Sequence, residues 1–95
     1  MLYDDLQEKR DLILRSANKN GIQKIRVFGS AARREDDPSS DLDLLVTFEG
    51  GRSLFDLIRF KNEMEELLNV KVDVVTEHSI HRNMKDRVKN EAIEL

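Results

Sequence analysis

Two aspartates two positions apart, Asp41 and Asp43, stand in the run Asp41-Leu42-Asp43-Leu44-Leu45-Val46-Thr47-Phe48. On an extended chain, residues i and i+2 share a face and lie roughly 6.5 Å apart, so these carboxylates can converge on one or two small cations. Strands are depleted in aspartate, and two like charges beside a core strand repel unless a cation or several donors compensates. Asp73, on the opposite face from Val72 and Val74 in a later extended run, joins them if the two strands are neighbours. A solvated acidic face is the plain alternative for any such pair. Oxygen-only ligands favour magnesium, with manganese as the other candidate. Gly29-Ser30 ends an earlier extended run and leads into a short helical turn. Glycine permits close backbone approach, while the serine hydroxyl and the following amides offer donors at a helix start, where phosphates bind. A phosphate cradle beside paired carboxylates is what phosphoryl or nucleotidyl transfer requires: cations that bridge phosphate oxygens, neutralise charge and activate an attacking hydroxyl.

The elements that must position these groups follow from periodicity. Residues 6–19 carry Leu6, Ile13, Leu14 and Ala17 near helical spacing, with Asp5 and Glu8 as a capping pair and Asn20-Gly21 as the stop. Residues 22–28 alternate, with Ile25 and Val27 between charged positions, and read as a strand; residues 31–34 form a helical turn capped by Ser30. Residues 35–40, holding the single proline, are a loop. Residues 41–48 make the second strand, with Leu42, Leu44, Val46 and Phe48 on one face and Asp41, Asp43 and Leu45 on the other. Ser53, with Asp56 three positions on, caps a helix whose stripe is Leu54, Leu57, Ile58, Lys61, Met64, Leu67 and Leu68. Residues 70–76 are a third strand, and residues 80–95 a final helix with Ile80, Met84, Val88 and Ala92 four apart. The order predicts a small α/β (α+β) domain: a mixed sheet of about three strands, covered mainly on one face by helices.

A chain of 95 residues makes one domain, residues 1–95, with too little bulk to enclose a deep pocket, so its site is expected to be shallow or completed by a partner. Zero cysteines exclude disulfide scaffolds, thiolate zinc sites and thiol nucleophiles. The acidic N-terminus lacks the basic region of a signal peptide and no apolar run reaches membrane length, so a cytoplasmic protein without a membrane partner is expected. A net charge of −3 argues against direct nucleic-acid binding through overall charge.

Gly29-Ser30, ten intervening residues, Asp41-Leu42-Asp43 and a later strand aspartate together resemble the signature of the DNA polymerase β-like nucleotidyltransferase superfamily. More narrowly, Gly29-Ser30-Ala31-Ala32-Arg33 and Ser40-Asp41-Leu42-Asp43-Leu44-Leu45-Val46 look like the minimal nucleotidyltransferases, which are about this long. The resemblance implies that Gly29 and Ser30 contact the triphosphate of ATP or another NTP. It implies that Asp41 and Asp43 hold two magnesium ions, and that Asp73 completes the metal site and helps deprotonate the acceptor hydroxyl. Arg33 matches an arginine common in that family, facing phosphate. Arg34 stands where the family usually has glycine, which puts the local backbone in question. Minimal members typically accompany a helical HEPN toxin. The resemblance therefore implies an antitoxin that transfers AMP to a hydroxyl of that partner, a tyrosine by family precedent, within an oligomeric complex. A rival reading is a non-catalytic antitoxin that neutralises its partner by occlusion, and another is an enzyme with a small-molecule acceptor.

Other features have blander readings. His78 and His81 lack a third ligand of suitable type and read as loop or cap residues. Arg82, Lys85, Arg87 and Lys89 read as a solvated helix face, and Arg33, Arg34 and Glu35 can pair among themselves in a solvated turn.

Overall fold

The structure is a computed structural model and describes residues 2–37, 39–76, 79 and 82–95. The chain opens with two helical segments, α1 (Leu2–Glu8) and α2 (Arg10–Lys19), where one was expected. The helix breaks at Lys9 and begins ahead of Leu6, so Asp5 and Glu8 lie inside α1 and do not form a cap. The stop is at Asn20-Gly21, where Gly21 takes φ +76° against the side chain of Arg52, a place with no room for a Cβ. Strand β1 (Ile22–Phe28) runs directly into the one-turn α3 (Gly29–Ala32), which begins at Gly29 without a side-chain cap from Ser30.

Strand β2 (Leu42–Phe48) starts one residue after Asp41. Helix α4 (Leu54–Leu68) is introduced by Ser53, whose N–H donates to Asp56 Oδ2 at 3.1 Å, and is closed by Asn69 at φ 55°. Strand β3 (Val72–Thr76) begins two residues later than its apolar run, and α5 (Arg82–Glu91) ends four residues earlier than expected. The chain does not remain helical to its end: Ile93–Glu94 form a fourth strand, β4, paired with Arg26 and Val27. His78, His81 and Ile80 fall outside the described residues.

The four strands lie in the order β3-β2-β1-β4. β1 is antiparallel to β2 and to β4, whereas β2 and β3 are parallel and joined through α4. Ile25, Val27, Leu42, Leu44, Val46, Val72 and Val74 bury one sheet face against Leu6, Ile13, Ala17, Phe60 and Met64 of the helices. Each of these side chains larger than Ala17 contributes about 1.5–3 kcal/mol on leaving water, before entropy is counted. Leu45 lies outside that cluster, yet it is 2% exposed, so the second face is covered at that point. The outer edge of β3 is blunted at both ends, because the Val72 N–H donates to Glu65 and the Thr76 N–H to Ser79.

One part of the expected core is not core. Leu54 and Ile58, placed on the apolar stripe of α4, are 66% and 46% exposed, and Phe55 between them is 76% exposed. The buried face of α4 is centred on Phe60 and Met64 instead. No described helix is long and apolar enough to cross a membrane.

Candidate active site

The mixed strand directions assemble the candidate residues. Because β1 and β2 are antiparallel, the end of β1 lies beside the start of β2; because β2 and β3 are parallel, their starts coincide. The register therefore sets Phe28, Asp43 and Asp73 in one row across three strands. Gly29 follows Phe28 at once and Asp41 precedes Asp43 by two, so three separated stretches of sequence meet at one end of the sheet. Gly29 sits at φ +73°, and a Cβ on it would run into the Asp43 carboxylate. Both facts demand glycine there, the first through backbone sterics and the second through the close approach of the turn to the acid.

Asp43 is half-buried, and its carboxyl is pushed above the ordinary aspartate value, first by burial, then by the charge of Asp73, then by that of Asp41. Arg33 acts in the opposite direction. Asp43 accepts no hydrogen bond from any described residue, so nothing among them compensates its charge except the distant field of that guanidinium. Asp41 and Asp73 are exposed. Among the described residues no three metal-ligating side chains are already drawn together tightly enough to hold an ion. What the site offers is a donor set: three carboxylates on adjoining backbone positions, oxygen only, with the central one desolvated and short of positive charge. That chemistry fits a hard divalent cation such as magnesium.

Ser30 lies within α3 and is partly buried at the same end of the sheet. Arg33 follows α3, and its Nε donates to Glu35 and its Nη1 to Glu91, each at 3.1 Å. Pairing with Glu35 was foreseeable from a two-residue spacing. Glu91, from the last turn of α5 and 58 positions away, left no local signal in the sequence. Arg34 adopts φ 57°, the left-handed conformation that glycine occupies without cost, and its guanidinium stacks 4.6 Å from the centre of the Tyr3 ring. The unusual residue at that position thus keeps the backbone a glycine would give, and α1 supplies a ring to hold it.

Cavities of about 330 Å3 beside α2 and β1 and about 490 Å3 between α2 and α4 lie away from these residues. With Asp41 and Asp73 exposed, the acidic row occupies an open surface.

Four matches to known proteins bear on the arrangement. Residues 9–95 match the family model described as the nucleotidyltransferase domain. MJ0435 of Methanocaldococcus jannaschii, a candidate protein adenylyltransferase, is 49% identical over 77 residues, covering 81% of this chain and 83% of that protein. A solved structure of a candidate minimal nucleotidyltransferase superposes with a TM-score of 0.88 at 43% identity, covering 98% of this chain and 95% of the other. A toxin–antitoxin structure with AMP-PNP shares the fold at a TM-score of 0.73 and 20% identity, covering 86% of this chain and 68% of that one. The row of Asp43 and Asp73 beside Gly29, the match across nearly the whole chain and the close structural likeness converge: the chain belongs to the nucleotidyltransferase domain family, as a minimal nucleotidyltransferase of the DNA polymerase β-like superfamily.

Proposed function

We propose that this chain is a cytoplasmic protein adenylyltransferase antitoxin. In this reading it transfers AMP from ATP to a hydroxyl, a tyrosine in the first instance, of a HEPN-type helical toxin. The observation that carries the reading is the placement of Asp43 directly across from Asp73 and against Gly29, with burial and two like charges raising its pKa and no described donor to relieve it. The name of MJ0435 and the nucleotide and toxin in the related complex support the choice of acceptor class.

Asp41, Asp43 and Asp73 would hold two magnesium ions, or manganese in their place. Bound there, such ions neutralise charge on the phosphates and lower the pKa of the attacking hydroxyl. Gly29 would leave space for the triphosphate to approach the β1–α3 turn, where Ser30 and Arg33 would contact phosphate. The acceptor oxygen attacks the α-phosphorus, a new P–O bond forms, the bond to the β-phosphate breaks, and pyrophosphate leaves. Asp73, exposed on β3, would accept the proton of the acceptor hydroxyl. An open site needs its partner to bring the acceptor and exclude water, and most of the acceleration comes from position and charge neutralisation.

The test is intact mass spectrometry of the co-expressed toxin after incubation with ATP and magnesium, using the native antitoxin and Asp43→Asn. One or more added AMP masses that vanish with the variant are expected. No added mass with a toxin still neutralised by both proteins would contradict transfer and leave binding alone as the antitoxin activity.

A further inference from the structure

Arg33 is not presented to the site as a free cation. Its Nε and Nη1 are each held at 3.1 Å by a carboxylate, Glu35 and Glu91 respectively. The guanidinium is thus shared between two carboxylates, and the cluster lies within electrostatic reach of Asp43. For Arg33 to donate to a polyanion it must exchange a carboxylate for a phosphate oxygen.

The two carboxylates are not equivalent in that exchange. Glu35 lies two residues along the same turn, is 66% exposed, and is tied by its own N–H to the carbonyl of Ser30 at 2.9 Å. It travels with Arg33. Glu91 is 27% exposed, so its attraction is less screened, and it belongs to another element, the last turn of α5. Three residues later, Glu94 pairs with Arg26 in the sheet. The Arg33–Glu91 pair therefore couples the turn after α3 to the α5–β4 segment.

We propose that Glu91 competes with the nucleotide phosphates for Arg33, so that this residue sets the affinity of the site and nucleotide binding loosens α5–β4 from the α3 turn. The inference rests on the transferase reading above, and it adds a residue that tunes substrate affinity without touching substrate.

The experiment is calorimetric titration of the full chain with AMP-PNP and magnesium, for the native protein, E91Q, R33A and R33A/E91Q. Removing the competing carboxylate is expected to tighten binding about three- to tenfold, an effect that shrinks as salt rises. R33A is expected to weaken binding, and E91Q to add nothing in its background, because the competition needs the guanidinium. Amide exchange at Ile93 and Glu94 should accelerate in the native protein on AMP-PNP addition and be fast already in E91Q. If E91Q does not fold, E91D, whose shorter carboxylate withdraws from Arg33, should give an intermediate gain. Unchanged or weaker binding by folded E91Q, beside a native protein that binds, would overturn the inference while leaving the transferase reading in place. A lowered melting temperature with unchanged affinity would do the same and assign Glu91 a structural role. A native protein that binds no nucleotide at all would instead overturn the transferase reading itself.

Discussion

Two carboxylates in this molecule meet opposite treatment. Glu63, on α4, accepts the Ser16 hydroxyl at 2.7 Å and the Asn20 amide at 3.4 Å and pairs with Lys19 at 3.2 Å. Its carboxyl is held below the ordinary range, chiefly by the Ser16 hydroxyl. Asp43 is given no described donor, a glycine with no Cβ to keep it at a distance, and two acidic neighbours, and its carboxyl is pushed up. Glu63 joins α2 to α4, and the fold satisfies it. The fold gives Asp43 no described donor and two like-charged neighbours, an arrangement that a bound cation would relieve. Donors, rather than burial alone, thus separate the two acids: they hold Glu63 down and are missing among the described partners of Asp43.

The largest contrast is in activity. Asp43→Asn is expected to lower AMP transfer at least about a hundredfold while leaving the melting temperature unchanged or slightly raised by relieved repulsion. Glu63→Gln should leave transfer intact. Retained full activity in Asp43→Asn, read by mass gain on the toxin, would erase the contrast.

Gly29→Ala should be the next most severe. It places a Cβ at φ +73° and against the Asp43 carboxylate, so we expect a loss of about 1–2 kcal/mol in stability from the backbone alone and a fall in transfer as Asp43 is displaced. Urea unfolding and transfer assays on the same sample check both.

These positions also show how far the sequence is legible. Alternation in residues 41–48 places Leu42, Leu44 and Val46 in the core, and the spacing of Gly29, Asp41 and Asp43 marks the candidate site, because each signal is local. The partnership of Asp43 with Asp73 depends on a parallel β2–β3 pairing that local periodicity does not encode. Leu54 and Ile58 carry helical spacing but sit on the exposed side of α4, where the sheet is covered by Phe60 and Met64. Ile93 and Glu94 fall inside the expected helix because Ala92, just before them, continues the four-residue spacing of Ile80, Met84 and Val88, and pairing with the edge of β1 makes them a strand instead. The knot around Glu63 joins residues more than 40 positions apart and gave no sign in the sequence.

Glu63→Gln should cost about 1 kcal/mol, since it weakens one charge-assisted hydrogen bond and removes an ion pair. A thermal melt at neutral pH reads it, and no change would place the knot among ornamental surface contacts.

The smallest effect is on pH dependence, and the two acids should pull in opposite directions. Glu63 has a depressed folded value, so its stabilisation is present above the ordinary carboxylate pKa and is lost as pH falls through the folded one. Asp43 has a raised folded value, so its penalty is complete above that value and disappears as pH falls through it. Melting temperatures from pH 7 to about pH 3 should show Asp43→Asn gaining stability at pH 7 and losing that advantage below about pH 4. Glu63→Gln should flatten the acid decline.

The most direct test of the central claim is manganese binding, followed by loss of the free-ion electron paramagnetic resonance signal, in the native chain, Asp43→Asn and Glu63→Gln. The account predicts uptake by the native chain and by Glu63→Gln, and its loss in Asp43→Asn. Equal uptake by all three, or none by the native chain, would contradict it and return Asp41, Asp43 and Asp73 to a solvated acidic face.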